Sequence, residues 1–67
     1  MTTKIFAKRL KRARLEKNLT QKELAIRIGL SDKSISIYEN GKAYPPISNL
    51  LMIAKELDKD IAYFLSD

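Results

Sequence analysis

Sixty-seven residues suffice for one small domain, and the chain contains neither Cys nor His. Disulfides and the common thiolate and imidazole metal sites are therefore excluded. Stability has to come from packed apolar side chains, which make up 45% of the residues. The net charge of +5 is unevenly spread: residues 1–33 hold ten Lys or Arg against three acids, residues 34–67 only three against five. Such asymmetry points to a face attracted to a polyanion, with a solvated surface helix as the plain alternative. No apolar run approaches the length of a membrane span. The start, Met1-Thr2-Thr3-Lys4, lacks the apolar stretch of a signal peptide, so a cytoplasmic protein is expected.

The first predicted helix covers residues 4–17. Thr3 is placed to cap it, Phe6, Leu10 and Ala13 recur at helical spacing, and Arg14 joins that inward face. Lys8, Arg9, Lys11 and Arg12 take the other faces and read as a solvated surface, and Asn18 is the stop. A second helix covers 21–28. Thr20-Gln21-Lys22-Glu23 has the form of a capping box, Leu24, Ala25 and Ile28 form the apolar side, and Gly29 ends the helix.

Ser31 is a good N-cap for a third helix over 32–39, with Ile35 and Tyr38 inward, Ile37 pointing away and Asn40-Gly41 as terminator. Pro45-Pro46 opens a fourth helix over 46–57, with Ile47, Leu50, Ile53, Ala54 and Leu57 as its stripe. Asp60 caps a last short turn over 61–65. The chain thus reads as one all-α domain, residues 1–67, of five short helices. The apolar tail Ile61-Ala62-Tyr63-Phe64-Leu65 either seals the core or offers part of a two-fold contact.

Segment 20–41 carries the functional signal. Ala25 is small enough for a close helix crossing, Gly29 opens a tight turn, and Ile35 plugs the junction from the other side. Two helices joined steeply by a three- or four-residue turn form a helix-turn-helix, whose second helix fits the major groove of duplex DNA. On chemistry alone, Lys33 can donate to guanine O6 or N7, Asp32 can accept from cytosine N4, and an exposed Ile37 suits a thymine methyl. Asp32 can equally serve only to stabilise the helix N-terminus.

These residues resemble the Cro and lambda-repressor family of helix-turn-helix proteins. The matching positions are Phe6, Leu10, Arg14, Gln21, Ala25, Gly29, Ile35, Glu39-Asn40-Gly41, Pro45 and the Leu50, Ile53, Ala54, Leu57 stripe. The resemblance covers about residues 5–65 and implies a compact five-helix, lambda-repressor-like domain that binds double-stranded DNA as a homodimer on a palindromic operator. It implies phosphate contacts from Gln21, Asn40 and Lys42, with Ser34 as a further candidate, and base contacts from Asp32, Lys33, Ser36 and Ile37. It also implies a structural ion pair between Arg14 and Glu39. Family members often carry Gln where this chain has Asp, Lys and Ile, so a different operator is implied. Tyr44-Pro45-Pro46 makes the loop stiffer and less basic than in strongly basic relatives.

The function expected is sequence-specific transcriptional regulation, as a repressor of phage, mobile-element or bacterial type. The alternatives are an antitoxin, a restriction–modification controller, or a protein-interaction module that kept the fold and lost DNA binding. An enzyme is not expected, because His, Cys, a Gly-rich phosphate loop and a close carboxylate pair in a pocket are all missing from the sequence. Nor is a cofactor, a small-molecule ligand or a membrane partner.

Overall fold

Short helices need caps more than long ones do, because eight unsatisfied backbone groups weigh heavily on two or three turns. The computed structural model describes residues 2–65, in which five helices occur: α1 (Thr3–Glu16), α2 (Gln21–Ile28), α3 (Asp32–Glu39), α4 (Ile47–Glu56) and α5 (Ile61–Leu65). Strands are absent among the described residues.

The N-termini of α1, α2 and α3 use hydroxyl caps. Thr2, not Thr3, caps α1, its hydroxyl accepting the Ile5 N–H at 3.2 Å. Thr3 is itself helical, because its neighbour already supplies the cap. At α2 the box is reciprocal: Thr20 Oγ1 accepts from Glu23 N at 3.0 Å, and Glu23 Oε1 accepts from Thr20 N at 2.8 Å. Ser31 caps α3 by accepting from Ser34 N at 3.1 Å. Helix α4 starts at Ile47 rather than Pro46. Pro46 is the extended residue before it (ψ 155°), and its carbonyl accepts from Leu50 N at 2.9 Å.

The C-termini of α1 to α4 share one device. A left-handed residue follows each helix: Asn18, Gly29, Gly41 and Asp58, with φ of 57°, 72°, 72° and 55°. The next residue's N–H then reaches back five positions: Leu19 to Arg14 O, Leu30 to Ala25 O, Lys42 to Ile37 O and Lys59 to Ala54 O, at 2.9–3.2 Å. The connections after α1, α2 and α4 are three or four residues long, whereas that after α3 runs over seven, 40–46. The α5 turn closes with Tyr63 N donating to the Asp60 carbonyl at 3.0 Å.

Phe6, Leu10, Leu24, Ile35, Ile53, Leu57 and Phe64 are fully buried, one or two from every helix or its edge, and form a single core with Ala13, Ala25 and Ala54 between them. Burying such large side chains contributes about 1.5–3 kcal/mol each. Helix α3 packs against α1 and α2, α4 against α2 and α5, and α5 against α1. Phe64 meets Phe6 at 6.0 Å between ring centroids, so the apolar tail does seal the core; Ala62 and Leu65 stay exposed.

Two expectations fail here. Ile47 is 66% exposed rather than part of the buried stripe. At about 100° per residue it lies roughly 70° from the centre of the face formed by Leu50, Ile53, Ala54 and Leu57, on its rim. Ile37 is half-buried and packed on the core edge rather than exposed, on a helix that packs against both α1 and α2.

Candidate nucleic-acid interface

The turn between α2 and α3 is three residues, Gly29-Leu30-Ser31. A Cβ on Gly29 would meet nothing within 4 Å, so backbone conformation, not crowding, demands glycine there. Leu30 folds back onto the core and Ser31 immediately caps α3. Ile35 (fully buried) and Tyr38 fix which side of α3 faces inward. That leaves Asp32 and Lys33 exposed at its start, Ser34 and Ser36 half-buried on its flanks, and Asn40 and Lys42 exposed beyond its end.

Some of these side chains are partly engaged already. Ser34 shares a hydroxyl–hydroxyl hydrogen bond with Ser31 at 3.0 Å, and Asn40 Nδ2 donates to Ser36 Oγ at 3.3 Å. Lys33 and Lys42 have no acidic partner within ion-pair distance among the described residues. Asp32, in the first turn of α3, sits where the free N–H groups favour a carboxylate.

Behind this surface lies a network that joins three helices. Arg14 Nε donates to Glu39 Oε2 at 2.6 Å and Arg14 Nη2 to Glu39 Oε1 at 3.0 Å, a two-pronged ion pair. Arg14 Nη1 donates to the Leu19 carbonyl at 2.6 Å. The two side chains are 8% and 3% exposed. Gln21 enters the same network, its Nε2 donating to Glu39 Oε1 at 3.1 Å. Gln21 is the first residue of α2, so one amide hydrogen is held by Glu39 while the other remains available. The sequence pattern named Gln21 and Glu39 for separate roles, and no spacing rule links residues eighteen apart.

Charge is sorted in space. The exposed ion pairs gather where α1, α2 and α4 end: Arg12 with Glu16, Glu16 with Lys59 at 2.9 Å, Lys17 with Asp58, and Arg27 with Glu56 at 3.2 Å. Hydrogen bonding and attraction from Lys59 hold the Glu16 carboxyl below the usual range, and Lys17 does the same for Asp58. The Thr20 backbone N–H and hydroxyl lower Glu23. Glu39, the acid at the end of α3, is occupied by Arg14 and Gln21. Lys33 and Lys42 thus stand outside these ion pairs, with Asp32 exposed beside Lys33.

A family model described as helix-turn-helix matches residues 10–64. The chain belongs to the helix-turn-helix family. Among curated helix-turn-helix relatives, it is 39% identical over 61 residues to the HTH-type transcriptional activator BcrR of Enterococcus faecalis, covering 91% of this chain and 30% of that protein. It is 33% identical over 61 residues to the HTH-type transcriptional regulator YqaE of Bacillus subtilis, covering 91% of this chain and 53% of that one. The chain therefore spans between 30% and 53% of the length of these relatives. Among solved structures, the restriction–modification controller protein C.AhdI of Aeromonas hydrophila superposes with a TM-score of 0.86 at 29% identity, over 92% of this chain and 90% of the controller. Among the described residues, no helix is long and apolar enough to cross a membrane.

Proposed function

We propose that this protein is a sequence-specific double-stranded DNA-binding regulator that docks α3 in the major groove. The observation that carries the reading is α3 itself: an eight-residue helix pinned on one side by Ile35 and Tyr38, with Lys33 exposed at its start and in no ion pair among the described residues. Asp32, Lys33, Ser36 and the free part of Ile37 would meet base edges. Gln21, Ser34, Asn40 and Lys42 would meet phosphates, which fix orientation without reading sequence. Gln21 suits an anion especially well, because it opens α2 and its side chain is already oriented by Glu39.

With extents of 27 × 22 × 21 Å, one copy is shorter than a helical turn of DNA, about 34 Å. One copy therefore covers one half-site, and two copies cover a palindrome. Exposed Ile47, Leu51 and Met52 on α4, with Leu65 at the end of α5, support a second copy as the partner. Occupying a promoter in this way would exclude RNA polymerase, which makes repression the natural outcome. The protein would act as a binder, without catalysis, in the compartment that holds the DNA. The near-complete overlap with a restriction–modification controller favours one more specific reading, control of such genes. Binding to the promoter of an adjacent nuclease or methyltransferase gene would establish it.

The test is selection from a random duplex pool, followed by titration of the enriched site. Enrichment of a palindrome whose binding weakens steeply with salt is expected. Lys33→Ala and Gln21→Ala should each reduce affinity at least tenfold with the helical signal intact. Unchanged affinity in both variants would refute the docking.

A further inference from the structure

The notable cations outside the helix-turn-helix are on α1. Residues 3–15 of α1 include Lys4, Lys8, Arg9, Lys11, Arg12 and Arg14 and no acid. They do not share one environment. Arg12 reaches Glu16, Arg14 is buried on Glu39, and Arg9 donates to the Tyr63 carbonyl at 3.3 Å with its guanidinium 4.9 Å from the Tyr63 ring centroid. Lys4, Lys8 and Lys11 are exposed and have no acidic partner within ion-pair distance among the described residues, and of these three only Lys4 and Lys8 line the cleft beside the turn after α3.

Their position is set by the turn after α3. Gly41 lies against the first turn of α1, so that a Cβ there would stand 3.5 Å from the Thr3 carbonyl oxygen and 3.7 Å from Lys4 Cα. Lys4, Ile5, Ala7 and Lys8 line one wall of an open cleft of about 660 Å³, and Glu39, Asn40 and Gly41 line the other. The carboxylate of Glu39 is bound by Arg14 and Gln21, so it does not answer the lysines. Two lysines and Asn40 thus line one cleft, with Lys42 the next residue in the chain after Gly41, and the acid on its wall is already neutralised.

We propose that Lys4 and Lys8 carry the DNA-backbone contact of the α3–α4 turn onto α1, so that the two walls of this cleft grip one phosphate strand. The inference rests on the DNA-binding reading above and adds residues to it. Four residues of α-helix advance about 6 Å, so the two ammonium groups serve two different phosphates. Lysine suits the task as a mobile point charge, in contrast to the fixed, two-pronged Arg14. Contacts of this kind strengthen binding to every sequence alike.

The experiment is fluorescence anisotropy with the selected duplex and an unrelated duplex of equal length, across a salt series. It compares the whole chain with Lys4→Gln/Lys8→Gln and, as a control, Lys55→Gln, an exposed α4 lysine on a different helix. Each lost phosphate contact flattens the log–log salt slope by about 0.9. The double variant should therefore have a slope shallower by about 1.8 and bind about 60-fold more weakly near 0.1 M salt, equally for both duplexes. Lys55→Gln should match wild type, and all three should melt alike. A double variant with the wild-type slope overturns the inference while leaving the DNA-binding reading standing. A wild-type chain that binds neither duplex overturns both.

Discussion

Removing the Arg14 guanidinium tests whether the buried ion pair holds the helices together. Arg14→Met keeps the length and apolar stem of the side chain but deletes all three of its hydrogen bonds. Glu39, only 3% exposed, would keep Gln21 as its single side-chain donor, and the Leu19 carbonyl would lose its side-chain donor. Stranding one member of a buried pair costs about 3–5 kcal/mol. At about 0.05–0.15 kcal/mol per residue, a domain of this size holds only roughly 3–10 kcal/mol in total. The variant should therefore lose a third or more of its stability and be partly unfolded near body temperature. Urea titration followed by far-UV circular dichroism measures this, with an unchanged m-value showing that the unfolded states are comparable. A loss below about 1 kcal/mol would refute the reasoning, because it would mean that solvent or local rearrangement satisfies Glu39 without Arg14.

Thr20→Ala removes the hydroxyl half of the α2 capping box and should cost about 1 kcal/mol, read as a melting temperature lower by several degrees; no change would show that Glu23 alone suffices. Glu16, Glu23 and Asp58 titrate lower in the folded chain than free carboxyls do. Their contribution is therefore complete above the free-carboxyl range, near pH 4–5, and is lost as pH falls through their lowered folded values. Melting temperature measured from pH 7 to pH 2 should be level and then decline, less steeply in high salt; a level profile throughout would contradict the assignment. Tyr63→Phe removes a hydroxyl that is buried with no hydrogen-bond partner among the described residues. It should leave stability unchanged or raise it, since Arg9 and Lys59, each within 5 Å of the ring centroid, still pack on the ring. A loss above about 1 kcal/mol would reveal a partner for that hydroxyl.

What was legible in the sequence followed from local chemistry. Thr20 with Glu23, Ser31, Gly29 and Gly41 each solve a problem set within four residues of chain, so they could be located without tertiary structure. The inward faces of α2 and α3 were legible for the same reason, because helical period alone separates Leu24, Ala25, Ile28, Ile35 and Tyr38 from their neighbours. Two adjacent threonines offer the same cap chemistry, and Thr2 was indistinguishable from Thr3. Asp58 is not legible as a left-handed stop because Asp adopts that conformation far less readily than Gly, and its ion-pair partner Lys17 is 41 residues away in sequence. Ile47 lies on the rim of its stripe, where helical period leaves burial undecided, and the partial burial of Ile37 reflects the packing of α3 against both α1 and α2, which periodicity does not encode. The joining of Gln21 to Glu39, and of Lys4 and Lys8 to the Gly41 turn, are tertiary juxtapositions of the same kind.

The network behind α3 also separates two jobs that a stability measurement alone would merge. Arg14, Glu39 and Gln21 come from α1, α3 and α2, so they fix the relative placement of the proposed reading helix and the proposed phosphate anchor. A buried ion pair is a weak source of net stability, because desolvation offsets most of its attraction, and an apolar pair of similar volume often does as well. Arg14→Met/Glu39→Met should accordingly be more stable than Arg14→Met, and close to wild type. It also frees the Gln21 amide, which no longer has an acceptor to orient it. Affinity for the selected duplex should then fall several-fold although stability is restored, and the loss should appear equally on unrelated DNA because Gln21 is assigned to a phosphate. If the double variant recovers both stability and affinity, the network only fills space. If affinity alone stays low, its retention is explained by the orientation it imposes on the surface that meets DNA.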